Sequence, residues 1–345
     1  MLKTISIFCA SRWDAKKQFK LVYEQSLHYL VEENIKIAYG GANDGYMGLL
    51  ADSVLEANGY LIGCMPRYFY DLGRHEQRCQ QFYLVDSIPE RLQVLEALSQ
   101  GFLAFPGGLG TLEEVMSMLS YNAIQLIQKP VGLLNVGGYF NPLLELIENG
   151  KRQGYIQPII DDFLIVSEDI TEIITRMRQY TQNLLEYTDG YDQDGQRIIT
   201  GINREQKDLQ YHYKSVFLLL IDSENRLLIQ KRAYNKTFPG LWDFSATGGV
   251  RALEEGYQGM RREALEELGI WLPLSKPTIT IPDKHHLMEI YVHRLQGPID
   301  IYYDESEILD IRWVTKQECL QLFEQREFIH HDWRKQVLLQ LWPSN

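Results

Sequence analysis

In the first half of the chain, short apolar runs alternate with longer stretches whose apolar positions recur every three or four residues. Thr4–Cys9, Ile35–Tyr39, Tyr60–Cys64 and Gly101–Phe105 have strand length and are apolar almost throughout, as strands buried on both faces are. Between them, Phe19–Glu32 places Leu21, Val22, Leu27, Leu30 and Val31 at helical spacing. The same spacing predicts helices over 49–58, from Pro89 through Leu92, Leu95 and Leu98, over 115–126, and over 170–187. Strands alternating with helices predict an α/β fold, a Rossmann-like doubly wound parallel sheet whose ligands gather at the carboxyl ends of the strands. Glycines stand at those ends: Gly40 and Gly41 after the second run, and Gly107, Gly108 and Gly110 after the fourth.

The second half changes character. Residues 188–195 are polar and rich in turn formers, which places a domain junction there and divides the chain into 1–185 and 186–345. Beyond it, Val216–Ile221 and Leu227–Lys231 read as a hairpin, and Gly256–Leu268 as a helix stopped by Gly269. At 345 residues the chain is long for one core, which also favours two domains.

Composition narrows the partners. A formal charge of −12 and a pI near 5.2 leave no general footprint for nucleic acid or an anionic membrane, and small-molecule partners fit better. Cys9, Cys64, Cys79 and Cys319 are too scattered for a zinc pattern or a disulfide framework and suit a reducing compartment. No run approaches the roughly 18 apolar residues of a membrane span. A cytoplasmic protein is expected.

Two constellations carry chemistry. Pro106–Glu114 sits at a strand-to-helix turn, where glycine backbone comes close to a ligand and helix-start N–H groups favour an anion. Thr111 is expected as the N-cap and Glu114 in the first turn. A capped turn alone would use the same glycines, but an acid beside a phosphate cradle is more than such a turn needs. In the second half, Gly248 is followed after five residues by Glu254, and after seven more by Arg262-Glu263, Glu266-Glu267 and Gly269. Glu263, Glu266 and Glu267 then share one helix face. Their mutual repulsion, perhaps a few tenths of a kcal/mol per pair on an exposed helix, is relieved by a divalent cation, and hard oxygen ligands suit Mg2+ or Mn2+. The bland alternative is an acidic solvated face. The pair His285-His286 does not suit a shared metal, because neighbours on a strand point to opposite sides.

The first constellation resembles the LOG family of nucleoside 5′-monophosphate phosphoribohydrolases. The resemblance rests on Tyr39-Gly40-Gly41 with Gly45-Tyr46-Met47-Gly48, on Pro106–Glu114 matching PGGxGTxxE, and on Arg91, and it spans about 1–180. It implies Arg91 and Glu114 as catalytic residues, substrate contacts from Ser11, Gly40, Gly41, Gly107, Gly108, Gly110 and Thr111, and a homo-oligomer, a dimer by analogy. Ile88 and Leu92 replace the family's usual Met and Lys, and Ala10 and Ala42 stand where glycines are common.

The second constellation resembles the Nudix box, over about 190–340, and implies an α/β/α Nudix fold that hydrolyses a diphosphate linked to another moiety. By that resemblance Glu263, Glu266 and Glu267 hold the metal and Glu263 is catalytic. Arg262 would orient Glu263 and Glu254 would support the loop. Glu305 or Glu307 is open as a further ligand or base, with a solvated acidic loop as the alternative. The expected activity is two-step: a nucleoside diphosphate derivative such as ADP-ribose, or a nucleoside triphosphate, is split to a monophosphate whose glycosidic bond is then hydrolysed. The other expectation, resting on Leu92, is a catalytically degenerate nucleotide sensor regulating an active Nudix half.

Overall fold

The structure is a computed structural model that describes residues 2–13, 19–185, 187–206 and 208–342. The chain divides into two units, Met1–Glu186 and Tyr187–Asn345; the boundary residue of the sequence reading, Glu186, lies outside the described residues.

The first unit is a seven-stranded parallel sheet with the order β4-β3-β2-β1-β5-β6-β7. Its strands are β1 (Thr4–Phe8), β2 (Lys36–Tyr39), β3 (Leu61–Pro66), β4 (Gln81–Val85), β5 (Gly101–Ala104), β6 (Val131–Leu134) and β7 (Leu164–Ser167). The helices are α1 (Lys20–Glu32), α2 (Gly45–Glu56), α3 (Arg67–Asp71), α4 (Ile88–Leu98), α5 (Leu109–Ala123), α6 (Asn141–Arg152), α7 (Ile160–Phe163) and α8 (Ile170–Leu185). Residues of β1 and β5 are buried throughout, as the continuous apolar runs require. Chain order reverses between β1 and β5, so the turn after β5 lies beside the sheet's switch point, where open α/β sheets bind ligands. Two short elements escape the pattern. The edge strand β4 has an exposed middle, and β7 is only partly covered, so neither shows the continuous burial of β1.

The second unit is an α/β/α sandwich. Its strands are β8 (Tyr187–Tyr191), β9 (Arg197–Asn203), β10 (Tyr213–Ile221), β11 (Leu227–Arg232), β12 (Trp242–Asp243), β13 (Ala246–Gly249), β14 (Ile279–Asp283), β15 (His286–Arg294) and β16 (Ile308–Val314). Its helices are α9 (Gly256–Leu268), α10 (Lys316–Glu324) and α11 (Asp332–Leu341). The alternation along β10 separates the two layers. Val216, Leu218 and Leu220 pack with Met260, Ala264 and Leu268 of α9, while Phe217, Leu219 and Ile221 pack with Cys319, Leu322, Val337 and Leu338 of α10 and α11. The polar, turn-rich stretch 188–195, where the sequence places the domain junction, runs through the second half of β8 and the turn after it: β8 pairs with β9, and Thr188, Asp189 and Tyr191 are buried. Its polar groups are satisfied inside the unit, where Asp189 accepts from two backbone N–H groups. Among the described residues no helix is long and apolar enough to cross a membrane.

Candidate active sites

Helix α5 begins earlier than its side chains suggest. Gly108 is the N-cap, in extended backbone and without a side-chain cap, so Thr111 lies inside the first turn and is not the expected cap. Glu114 falls in the second turn, not the first. Because backbone alone starts the helix, the Thr111 side chain is released for another use. It is 2% exposed, and its hydroxyl has no hydrogen-bond partner among the described residues. Buried hydroxyls without partners are uncommon, and this one stands in a glycine turn. A Cβ on Gly107 would overlap Thr111 Oγ1, whereas Gly108 and Gly110 face open space. Tyr23 and Tyr139 donate their hydroxyls to the carbonyls of Pro106 and Gly107, fixing the peptide orientation of the turn. Leu112 N–H closes onto Gly108 O, and helix geometry leaves the preceding N–H groups without intrahelical acceptors.

Behind that turn lies the acid. Glu114 is 4% exposed and its Oε1 lies 2.8 Å from Nη2 of Arg91, itself largely buried. Arg91 projects from the first turns of α4, whose N-cap Ser87 accepts from Glu90 N–H. Its Nε donates to the Cys64 carbonyl of β3 (3.2 Å), and a Cβ on Gly40 would approach its Nη2 to 2.5 Å. The turn after β2 is thus in contact with the ion pair. Burial raises the Glu114 pKa, and the Arg91 charge and hydrogen bond pull against that rise. The Cys9 thiol is pushed up by burial, with the Glu114 charge adding to it, so it is a neutral neighbour and no nucleophile. Gly41 has φ +75, and a Cβ there would meet the Phe82 ring. Helix α2 begins at Gly45, within the glycine turn and ahead of the expected 49, because Tyr46 and Gly48 are already buried in it. Ser11 is exposed beyond β1, and its carbonyl abuts Gly45. The structure therefore brings together Gly40, Arg91, Gly107, Thr111 and Glu114. Leu92 points into the core and supplies no charge to this site.

In the second unit, α9 starts with a capping box of Glu255 and Gln258 and ends at Gly269, left-handed at φ 65. Arg262 organises its acidic face. Its Nε and Nη2 fork onto Glu254 Oε1 and Oε2 (2.9 and 3.0 Å), its Nη1 reaches Glu263 Oε1 (2.5 Å) and Glu266 Oε2 (3.1 Å), and Nη2 also donates to Gly249 O. A Cβ on Gly248 would overlap the Glu263 carboxyl, which explains the glycine. Burial would raise the Glu254 pKa, but Arg262 and Arg251 outweigh it and draw it down to about 2. Glu266 is lowered by the same arginines against burial, while Glu263 is raised by burial with Glu266 adding to it. Glu267 is raised well above the usual range by burial and by the Glu263 charge, although Thr247 N–H and Gln230 Nε2 both donate to it (2.9 Å each).

The three carboxylates differ from the expected open face in one respect. Among the described residues no three His, Cys, Asp or Glu side chains converge as a ready ligand set, because Arg262 draws Glu263 and Glu266 while Glu267 turns to Gln230 and Thr247. The donor set still suits a hard cation. Buried carboxylate oxygens whose pKa values are pushed up by burial and mutual repulsion lack positive charge, and a divalent ion supplies it. Of the two acids left open after the helix, Glu307 is the nearer: its charge acts on Glu267, and it pairs with Lys236 at 3.2 Å. Glu305 is exposed. Gln230, Arg251 and Tyr23 were not anticipated. Gln230 is the buried polar residue of β11, directly after the apolar run Leu227–Ile229, and that is the signal the sequence carried for it.

A doubly wound sheet with a buried Arg–Glu pair beside a glycine turn, and a sandwich whose helix presents Arg-clamped glutamates, give a two-domain α/β chain with a candidate hydrolytic site in each unit. Comparison with known proteins is specific. A family model described as "possible lysine decarboxylase" matches residues 47–177, and a NUDIX domain model matches 212–336. The chain is 32% identical over 179 residues to a probable cytokinin riboside 5′-monophosphate phosphoribohydrolase (LOGL1) of Oryza sativa subsp. japonica, covering 52% of this chain and 80% of that one. A cytokinin riboside 5′-monophosphate phosphoribohydrolase of Arabidopsis thaliana (LOG3) is 29% identical over 178 residues, 52% and 83% of the two chains. Among solved structures, DR0079 from Deinococcus radiodurans is 24% identical with a TM-score of 0.38, covering 44% of this chain and 97% of that one. The Moco carrier protein from Chlamydomonas reinhardtii is 18% identical with a TM-score of 0.40, covering 53% and 100%. The chain belongs to the LOG phosphoribohydrolase family through its first unit, here fused to a Nudix hydrolase domain. A Nudix domain carries with it a requirement for a divalent cation.

Proposed function

We propose that the chain is a bifunctional nucleotide hydrolase. Its Nudix unit splits a nucleoside diphosphate derivative, such as ADP-ribose, or a nucleoside triphosphate, and releases a nucleoside 5′-monophosphate. Its LOG unit hydrolyses the N-glycosidic bond of such a monophosphate to free base and ribose 5-phosphate. The observation that carries the reading is the Arg91–Glu114 pair, 2.8 Å apart and buried, beside the unpartnered Thr111 hydroxyl of the glycine turn. Thr111 and the helix-start N–H groups suit the 5′-phosphate. Glu114, paired with Arg91, suits as carboxylate the positive charge that develops on the ribose as the bond to the base lengthens, and can take the proton of the attacking water. The intact pair weighs against a degenerate sensor, despite Leu92.

In the Nudix unit Glu263, Glu266 and Glu267 would hold Mg2+ or Mn2+. A bound divalent ion there supplies charge neutralisation of the diphosphate and a more acidic water. Arg262 keeps Glu263 in place, and Gln230 with Thr247 N–H fixes Glu267. The test is a panel of nucleoside monophosphates, triphosphates and ADP-ribose, with and without Mg2+, read by mass spectrometry for base and sugar phosphate. AMP or CMP alone should yield free base, and Glu114→Gln should abolish that release. Glu267→Gln should remove Mg2+-dependent cleavage of the diphosphate substrates. A chain that binds monophosphates and releases no base from any of them refutes the LOG half of the proposal, and undiminished turnover in Glu267→Gln refutes the ligand assignment.

A further inference from the structure

The hairpin of β8 and β9 lies outside the Nudix box in sequence, yet it grips the loop that leads into it. Tyr187 O accepts from Ala252 N–H (3.2 Å), Thr188 Oγ1 donates to Val250 O (3.1 Å), and Arg197 Nη2 donates to Glu254 O (3.2 Å). At the centre is Asp189, fully buried. Its Oδ1 accepts from Gly201 N–H (3.1 Å), its Oδ2 accepts from Leu253 N–H (2.7 Å), and the Arg197 guanidinium lies 2.8 Å from Oδ2. Leu253 is itself unusual, a leucine with φ +60. A residue with a branched side chain in the left-handed region persists only where its surroundings over-determine it. The next residue is Glu254, whose two oxygens take the Arg262 fork and whose Oε2 also accepts from Arg251 N–H (2.9 Å). Arg262 in turn holds Glu263 and Glu266.

From this chain of contacts we infer that Asp189 is a positioning residue for the Nudix carboxylates: it holds Leu253 left-handed, which aims Glu254 at Arg262 and so sets where Glu263 and Glu266 stand for the cation. The inference rests on the Nudix reading of the second unit. It assigns a role to a residue in the stretch whose polarity reads as a linker. The hairpin is then part of the site's frame, and Leu253 is the strained joint through which it acts.

The strain supplies a discriminating test, since glycine adopts φ +60 without penalty. In the full-length protein, Mn2+ binding without substrate is measured by electron paramagnetic resonance for the parent, Asp189→Ala, Leu253→Gly and the double variant. Asp189→Ala should weaken Mn2+ binding about tenfold, and adding Leu253→Gly should restore at least half of that loss on a logarithmic scale. A role confined to fold stability would lower the melting temperature of Asp189→Ala and leave the Mn2+ affinity of the folded variant at the parent's value. Should Asp189→Ala fail to fold, Asp189→Asn keeps the shape and removes one accepting oxygen; it should weaken Mn2+ binding at least threefold and respond to the same rescue. Unchanged Mn2+ affinity in a folded Asp189 variant, or a loss that Leu253→Gly does not relieve, overturns the inference while the Nudix reading stands. A parent protein that binds no Mn2+ overturns both.

Discussion

Replacing Arg91 with alanine isolates what the buried ion pair contributes. Glu114 is 4% exposed, its pKa already raised by burial, with Arg91 as the main opposing influence. Without Arg91 the carboxylate has two choices. It can stay charged and unpaired, at a cost of about 3–5 kcal/mol for a broken buried pair. Or it can take a proton: measured against an unfolded Glu titrating near 4.3, at 1.36 kcal/mol per pH unit, that costs about 2.3 kcal/mol at pH 6 and about 4.4 kcal/mol at pH 7.5. The cheaper choice at pH 6 is protonation, so the variant's folded state holds a proton the unfolded state has released. A group whose folded pKa is raised loses stability as pH climbs above its unfolded value. The stability gap between parent and Arg91→Ala should therefore widen by up to about 2 kcal/mol from pH 6 to pH 7.5. At about 2–4 °C per kcal/mol for a domain of this size, that is about 4–8 °C in the melting temperature. The assay is differential scanning calorimetry of the full chain at the two pH values. A gap that does not change with pH, or that narrows as pH rises, refutes the reasoning. Arg91→Lys, which keeps a charge but forfeits the bond from Nε to the Cys64 carbonyl, should remove most of the pH dependence.

Two further outcomes follow from the Nudix unit. Glu254 has its pKa drawn down to about 2 by Arg262 and Arg251 against burial, so its contribution is present above the unfolded value near 4.3 and is lost as pH falls towards 2. Glu254→Gln should therefore cost about 3 kcal/mol, equally at pH 6 and pH 8, and chemical denaturation at both values checks it. Gly248→Ala places a methyl group on the Glu263 carboxyl and should lower metal-dependent turnover at least tenfold, with overpacking costing about 1–3 kcal/mol; turnover equal to the parent's would show that Glu263 need not stand where it does.

The fold, and the local elements that carry the candidate site residues, could be read from the chain because they rest on local rules. Buried parallel strands show as continuous apolar runs, as in Thr4–Phe8, and a left-handed helix stop shows as Gly269. The readings that needed revision involve polar residues whose surroundings come from distant segments. Thr111 looked like a cap because threonine is a good cap, yet the Gly108 backbone starts the helix and leaves the hydroxyl buried. Asp189 stands in the polar, turn-rich stretch that marks the junction, and nothing local sets it apart: its partners come from β9 and from the loop before α9. Tyr23 and Gln230 carry no motif; they matter because the fold carries them to Pro106 O and to Glu267.

Both units set a buried arginine against glutamate, but the charge balance differs, and the difference bears on what each site takes. In the first, one guanidinium faces one carboxylate, and the group left wanting is a neutral hydroxyl in a glycine turn; that arrangement suits an anion reaching the turn beside an already paired carboxylate. In the second, Glu254 takes the Arg262 fork, and one Nη1 with Arg251 remains for a row of carboxylates. Burial raises the pKa values of Glu263 and Glu267, as it does that of Glu114, and here a neighbouring carboxylate of the same row adds to the rise, Glu266 for Glu263 and Glu263 for Glu267. The Nudix unit's carboxylates therefore call for added positive charge, which the Arg91–Glu114 pair already contains. Chelation with EDTA should accordingly silence cleavage of a diphosphate substrate while sparing base release from a monophosphate. Equal loss of the two activities would break this division of roles between the arginines.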